Sequence, residues 1–214
     1  MKLYSLLDLE TTGFADDGAV IPQQIIEAAA IVVDETGSIH RTYYGRFTPT
    51  IPVLPGAAKV NGYTAEAWAG WPEIAAHDLN VLAAFMDGTQ AVGSMPSFDK
   101  ERIDEEIARV GGRAPVLSTH RRLDLGSVGA PLVEGLGLAS GGMDAIIAGL
   151  ESVGLPVPPM PARLREVARG RDGAHTAMGD AWRTLHALRC LWEPVERHWR
   201  TVGAMYAAEH MPRD

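Results

Sequence analysis

Asp8 and Glu10 stand two residues apart where an apolar run from Leu3 to Leu7 ends. Alternation along a strand then points both carboxylates to one face. At about 4 Å and an effective dielectric near 20, two such charges repel by about 4 kcal/mol. A hard divalent cation turns that repulsion into binding, because Mg²⁺ and Mn²⁺ take oxygen ligands. An Asp-x-Glu pair alone is common at solvated strand ends. Here the small polar residues of Asp8-Leu9-Glu10-Thr11-Thr12-Gly13 leave room for a ligand. Asp99, in Ser97-Phe98-Asp99, and the pair His175 and Asp180 supply matching groups downstream. Five residues do not place two groups on one helical face. The interval works if His175 lies on the entering loop while Asp180 projects from the helix; a lone histidine there also suits a helix start or the surface.

The elements that would position these groups follow from the apolar patterning. Lys2 to Asp8 reads as a central strand, apolar on both faces. Gln24 to Asp34 reads as a second strand, and the turn Glu35-Thr36-Gly37-Ser38 returns the chain as a third, Ile39 to Phe47. A Pro-rich loop precedes a short helix at Ala57 to Asn61. Thr64 caps the next, and Pro72 opens another to about Met86. Gln90 to Ser94 makes a fourth strand, followed by a helix from about Phe98 to Val110. A fifth strand is expected between Pro115 and Asp124. Gly126 to Gly142 gives no clear assignment, and Ser140 suits an N-cap for a helix from Met143 to Val153. A short Arg-rich helix and a long one, about Thr176 to Leu191, follow four closely spaced prolines. In a last helix Val195, Trp199, Val202 and Tyr206 recur at spacings of four, three and four, as expected for a helix packed on its own domain. The expected organisation is a domain over 1–192 with that helix, 193–214, packed on it.

Composition bounds the rest. The 214 residues suit one α/β domain. A net charge of −8 opposes nonspecific nucleic-acid binding, except where bound cations reverse the local sign at a phosphate site. Cys190 is the single cysteine, excluding an intrachain disulfide and suiting a reducing cytoplasm. No apolar segment is long enough to span a bilayer, and Asp8 interrupts the N-terminal run too early for a signal peptide, so a cytoplasmic protein without a membrane partner is expected. Arg163, Arg165, Arg169 and Arg171 lie just before His175, either as a clamp for phosphates or as a solvated helix face.

Taken together, Asp-x-Glu, Phe-Asp and His-x-x-x-x-Asp in this order resemble the DEDDh 3′→5′ exonucleases, the DnaQ-like group of proofreading exonucleases, RNase T and oligoribonuclease. The resemblance runs from about Leu3 to Leu188. It includes the strand Ile25 to Asp34, the segment Val60-Asn61-Gly62-Tyr63-Thr64 and the setting Ala177-Met178-Gly179-Asp180-Ala181. It implies a ribonuclease H-like three-layer α/β/α fold with a five-stranded mixed sheet. It also implies two Mg²⁺ or Mn²⁺ ions, one on Asp8, Glu10 and Asp180, the second chiefly on Asp8 with Asp99 acting through water. His175 would be the general base, and Thr11, Thr12 and Asn61 would contact the terminal nucleotide.

The expected reaction is release of nucleoside 5′-monophosphates from the 3′ end of DNA, with single strands preferred. An exoribonuclease of the RNase T or oligoribonuclease kind is the alternative within the class. A non-catalytic module binding nucleic-acid ends or a polymerase is the alternative outside it. A nucleic acid with a free 3′ end is the expected partner, and a DNA polymerase or a second copy of the chain are the candidate protein partners. One departure matters: Met95 stands where the family carries Asn ahead of Phe-Asp.

Overall fold

The computed structural model describes residues 2–13, 22–115, 122–135 and 142–192. Its centre is a five-stranded sheet of β1 (Leu3–Thr11), β2 (Ile25–Asp34), β3 (Ile39–Arg46), β4 (Gln90–Gly93) and β5 (Arg122–Asp124), in the order β3-β2-β1-β4-β5. β2 pairs antiparallel with both β1 and β3, whereas β1/β4 and β4/β5 are parallel. The sheet is thus mixed and five-stranded, as expected. Eight helices are described: α1 (Pro55–Asn61), α2 (Ala65–Trp68), α3 (Ala76–Met86), α4 (Pro96–Val110), α5 (Leu125–Gly135), α6 (Met143–Ser152), α7 (Ala162–Val167) and α8 (Ala177–Cys190). None among the described residues is long and apolar enough to cross a membrane.

Two cores lie on opposite faces of the sheet. Leu7 and Leu9 of β1 join Ala28 and Ala30 of β2 beneath Leu79, Leu82 and Met86 of α3 and Ile103 of α4. Tyr4 and Leu6, with Ala29, Ile31 and Val33, pack beneath Ile146 and Leu150 of α6 and Ala177, Ala181, Leu185 and Leu188 of α8. Strand alternation therefore assigns Asp8 and Glu10, which continue the Tyr4–Leu6 set, to the α8 face. By the same count Glu27 of β2 faces α8, opposite Glu10 in the register. A register shift follows between Glu10 and Thr11, after which Thr11 pairs with Ile25, and such irregularities re-aim side chains beside sites.

Several boundaries differ from the sequence expectation, for local reasons. β1 continues to Thr11, because pairing with β2 holds both carboxylates inside the strand rather than beyond it. α3 starts at Ala76 rather than at Pro72, since the Asp78 carboxylate accepts the Ala75 N–H at 2.9 Å and sets the first turn there. The unassigned Gly-rich tract contains α5, started by Asp124, whose carboxylate accepts from the Gly126 N–H and the Ser127 hydroxyl. The N-cap position of α6 is Gly142, and the expected cap Ser140 lies outside the described residues. The expected helix with Val195, Trp199, Val202 and Tyr206, and the whole segment 193–214, lie outside the described residues.

Glu106 anchors the entrance to β2. It is buried on α4, accepts the Ile25 N–H at 2.8 Å and holds Arg109 through two bonds of 2.9 and 2.7 Å. Removing a buried acceptor strands its donors. Glu106→Ala is expected to destabilise the protein by about 2–3 kcal/mol in urea unfolding. A change below about 0.5 kcal/mol would show that β2 is held without it.

Candidate metal and nucleotide site

Asp180 reaches the sheet because Thr176 caps α8. Its hydroxyl accepts the Gly179 N–H at 3.1 Å and donates to the Gly173 carbonyl at 2.8 Å, bending the chain over the helix start. The turn is tight at Gly179, where a Cβ would lie 1.8 Å from the Gly173 oxygen. Asp180 is thereby aimed at β1. One carboxylate oxygen each from Asp8, Glu10 and Asp180 lies within 4.8 Å of the others, and this is the group among the described residues able to hold a metal ion. Asp99 is buried in the first turn of α4, its Oδ2 3.5 Å from where a Cβ on Gly93 would lie, and stands outside that trio. It is close enough for its charge to act on both Asp8 and Glu10.

Electrostatics mark the cluster as unbalanced. Burial, followed by repulsion from Asp180, Glu10, Asp99 and Glu27, holds the Asp8 carboxyl well above the usual carboxylate range. Burial and the charges of Asp180 and Glu27 push Glu10 up to about 8, against the opposing pull of Arg171. Burial alone raises Asp99 to about 8. Without a cation, these groups relieve their repulsion by binding protons. Oxygen donors held this close and short of positive charge fit a hard divalent ion.

His175 flanks Asp180 as the spacing requires. Its backbone N–H donates to Asp180 Oδ2 at 3.1 Å, and its Nδ1 lies 4.0 Å from the same oxygen. The ring is 45% exposed, and its Nε2 is 4.0 Å from Asp144 of α6. Asp180 Oδ1 accepts from Arg183 at 2.7 Å, and Arg183 also bonds Asp144. Asp144 and Arg183 were not among the expected site residues. Only the i,i+3 spacing of Asp180 and Arg183 signals their pairing.

Beside the trio a cleft of about 380 Å³ is lined by Leu9, Glu10, Thr11, Val60, Asn61 and Phe98, among others. Asn61 is buried, its amide donating to the Thr11 carbonyl at 3.1 Å. Thr11 borders the cleft, whereas the buried Thr12 hydroxyl accepts the Gln24 N–H at 3.1 Å and serves the loop itself. Met95 occupies the N-cap of α4, 62% exposed and without a side-chain cap. The four arginines do not form one clamp. Arg165 pairs with Asp172 at 3.8 Å, Arg169 lies over Trp71, and Arg171 turns inward to Glu27.

No family model matches the sequence, and no curated protein matches it at a significant level. Solved structures do. Exonuclease I superposes with a TM-score of 0.67 at 17% identity, covering 95% of this chain and 44% of that one. The zinc-bound form of the E. coli exonuclease I–ssDNA complex gives 0.64 at 18% identity, covering 95% and 43%. Exonuclease X in complex with 5′-overhanging duplex DNA gives 0.58 at 18% identity, covering 90% and 92%. The likeness establishes a shared ribonuclease H-like α/β fold. The chain spans less than half the length of the exonuclease I structures.

The raised carboxylates set a pH dependence. Their folded pKa values exceed the unfolded ones, so their contribution to stability is full below about pH 4. It is lost as pH climbs through about 8, the value for Glu10 and Asp99. A cation competes with the same protons. The rise in Tm produced by 10 mM Mg²⁺ over EDTA is therefore expected to be small at pH 5 and several degrees at pH 8.5. A rise independent of pH, or absent at both, would contradict the assignment.

Proposed function

We propose that this chain is a metal-dependent 3′→5′ exonuclease of the DEDDh kind, removing nucleoside 5′-monophosphates from the 3′ end of DNA with a preference for single strands. The observation that carries the proposal is the convergence of Asp8, Glu10 and Asp180 beside the cleft that holds Asn61. Exonuclease I and exonuclease X, which share the fold, are described with ssDNA and with overhanging duplex DNA respectively, and this supports a DNA end as the substrate.

Asp8, Glu10 and Asp180 would hold Mg²⁺ or Mn²⁺ in preference to a softer ion, since all three donors are carboxylate oxygens. Two such ions would supply an activated water and charge neutralisation at the leaving 3′-oxygen. Asp99, adjacent but outside the trio, would act on the second through water. His175 is the general base: its ring is exposed at the rim, next to Asp180, where it can take the proton from the attacking water. The backbone hydrogen bond to Asp180 Oδ2 keeps base and ligand in step.

The cleft accepts the terminal nucleotide. Leu9, Val60 and Phe98 give it apolar surface for a base or sugar, and Asn61 and Thr11 fix its polar edge. Met95 offers no hydrogen bond where the family has an amide. Positioning of the nucleotide therefore falls to the opposite wall, around Asn61.

A gel assay tests the whole reading. Oligonucleotides of DNA and RNA, 5′-labelled, single- and double-stranded, are incubated with Mg²⁺, Mn²⁺ or EDTA. The expected result is a ladder shortening from the 3′ end of DNA, abolished by EDTA and reduced at least a thousandfold by Asp180→Asn. Faster digestion of RNA moves the activity to the exoribonuclease alternative. No digestion of any strand with either metal rejects an exonuclease.

A further inference from the structure

The turn between α7 and α8 contains two non-glycine residues in the left-handed region, Arg169 at φ 51° and His175 at φ 58°. Such residues persist only where their surroundings over-determine them. Arg171, between the two, does the holding. Its Nε donates to Glu27 Oε1 at 2.6 Å, and its Nη2 donates to Glu27 Oε2 at 3.2 Å and to the Asn61 carbonyl at 2.6 Å. Its own carbonyl lies 3.3 Å from the Thr176 hydroxyl, which caps α8 and shares its one proton with the nearer Gly173 carbonyl at 2.8 Å. Glu27 is fully buried and also accepts the Ala177 N–H at 3.4 Å and the Tyr44 hydroxyl.

A column of alternating cations and rings braces this clamp. The Arg171 guanidinium lies 4.7 Å from the Trp68 ring and Arg46 4.4 Å from the same ring. Arg46 then lies 5.2 Å from Trp71, with Arg169 4.4 Å from Trp71. The column joins β3, α2 and the turn, and an outward swing of Arg171 would break its contacts with Glu27 of β2, Asn61 of α1 and Trp68 of α2. Its side chain is only 17% exposed, and its bonded nitrogens face Glu27 and Asn61 rather than a passing strand.

We propose that Arg171 is a positioning residue that fixes His175 relative to the nucleotide cleft. On the cleft side it grips the Asn61 carbonyl; on the other it ties Glu27, the cap of α8 and the left-handed turn into one unit. It touches neither metal nor substrate and acts through His175. The assignment rests on the exonuclease reading for its kinetic consequence, but its structural consequence can be read without turnover.

The test uses the full chain with Arg171→Met, and with Arg171→Lys, which keeps the charge and loses the fork. Single-turnover digestion of a single-stranded DNA is expected to slow at least tenfold in both, with KM within threefold of wild type. In a His175→Ala background the same change should slow digestion less than twofold. A KM rise at unchanged kcat would instead make Arg171 a phosphate contact, and equal slowing in both backgrounds would make it a general structural residue. Either overturns the proposal. Amide hydrogen exchange across 171–176, with and without 5′-dTMP and Mg²⁺, is read on the same proteins. At least tenfold faster exchange in Arg171→Lys is expected, and unchanged exchange overturns the clamp. An inactive wild type that still shows the exchange difference would reject the exonuclease reading alone.

Discussion

Carboxylates that repel one another inside a folded protein must be offset by protons, by cations from the chain or by a bound ion. The carboxylate oxygens of Asp8, Glu10 and Asp180 lie within 4.8 Å of one another, so each pair of charges opposes folding by about 3 kcal/mol at an effective dielectric near 20. Asp99 and Glu27 add to the field on Asp8. The cations Arg171 and Arg183 answer part of it, one through Glu27 and one at Asp180 itself. The remainder appears as the raised pKa values of Asp8 and Glu10. The elements around that imbalance are β2, buried from Ile25 to Val33, and α8, capped by Thr176.

The same imbalance joins fold to function. Strand alternation alone would deliver Asp8, Glu10 and Glu27 to the α8 face whatever lay there. What makes the face a site is that α8 begins at a capped turn over the end of β1, presenting Asp180 where the sheet already carries negative charge. Glu27 then has a separate task. Its charge is partly offset by Arg171 and Arg46, which tie it to the turn and to β3.

Much of this was legible in the sequence because it is local or periodic. The parity of Asp8 and Glu10, the loop position of His175 and the helical position of Asp180 each follow from spacing. So do the two hydrophobic faces of the sheet, since Tyr4, Leu6 and Leu7, Leu9 alternate in one strand. The start of α5 was obscured by glycines that lower helix propensity, although Asp124 caps it by an ordinary side-chain bond. The inward turn of Arg171 was not legible. Its partner Glu27 is 144 residues away, and such a pairing leaves no local pattern. Four arginines in nine residues look alike in sequence, yet one pairs with Asp172, one stacks on Trp71 and one is buried against Glu27. Asp99 shows the reverse case, since its place beside the trio rather than within it depends on how far α4 stands from β1.

Anomalous diffraction from crystals grown with Mn²⁺ and 5′-dTMP addresses the central claim most directly. The account predicts a manganese peak within about 2.4 Å of carboxylate oxygens from Asp8, Glu10 and Asp180, with the nucleotide in the cleft beside Asn61. A peak elsewhere, or none at the trio when manganese is in excess, would contradict it.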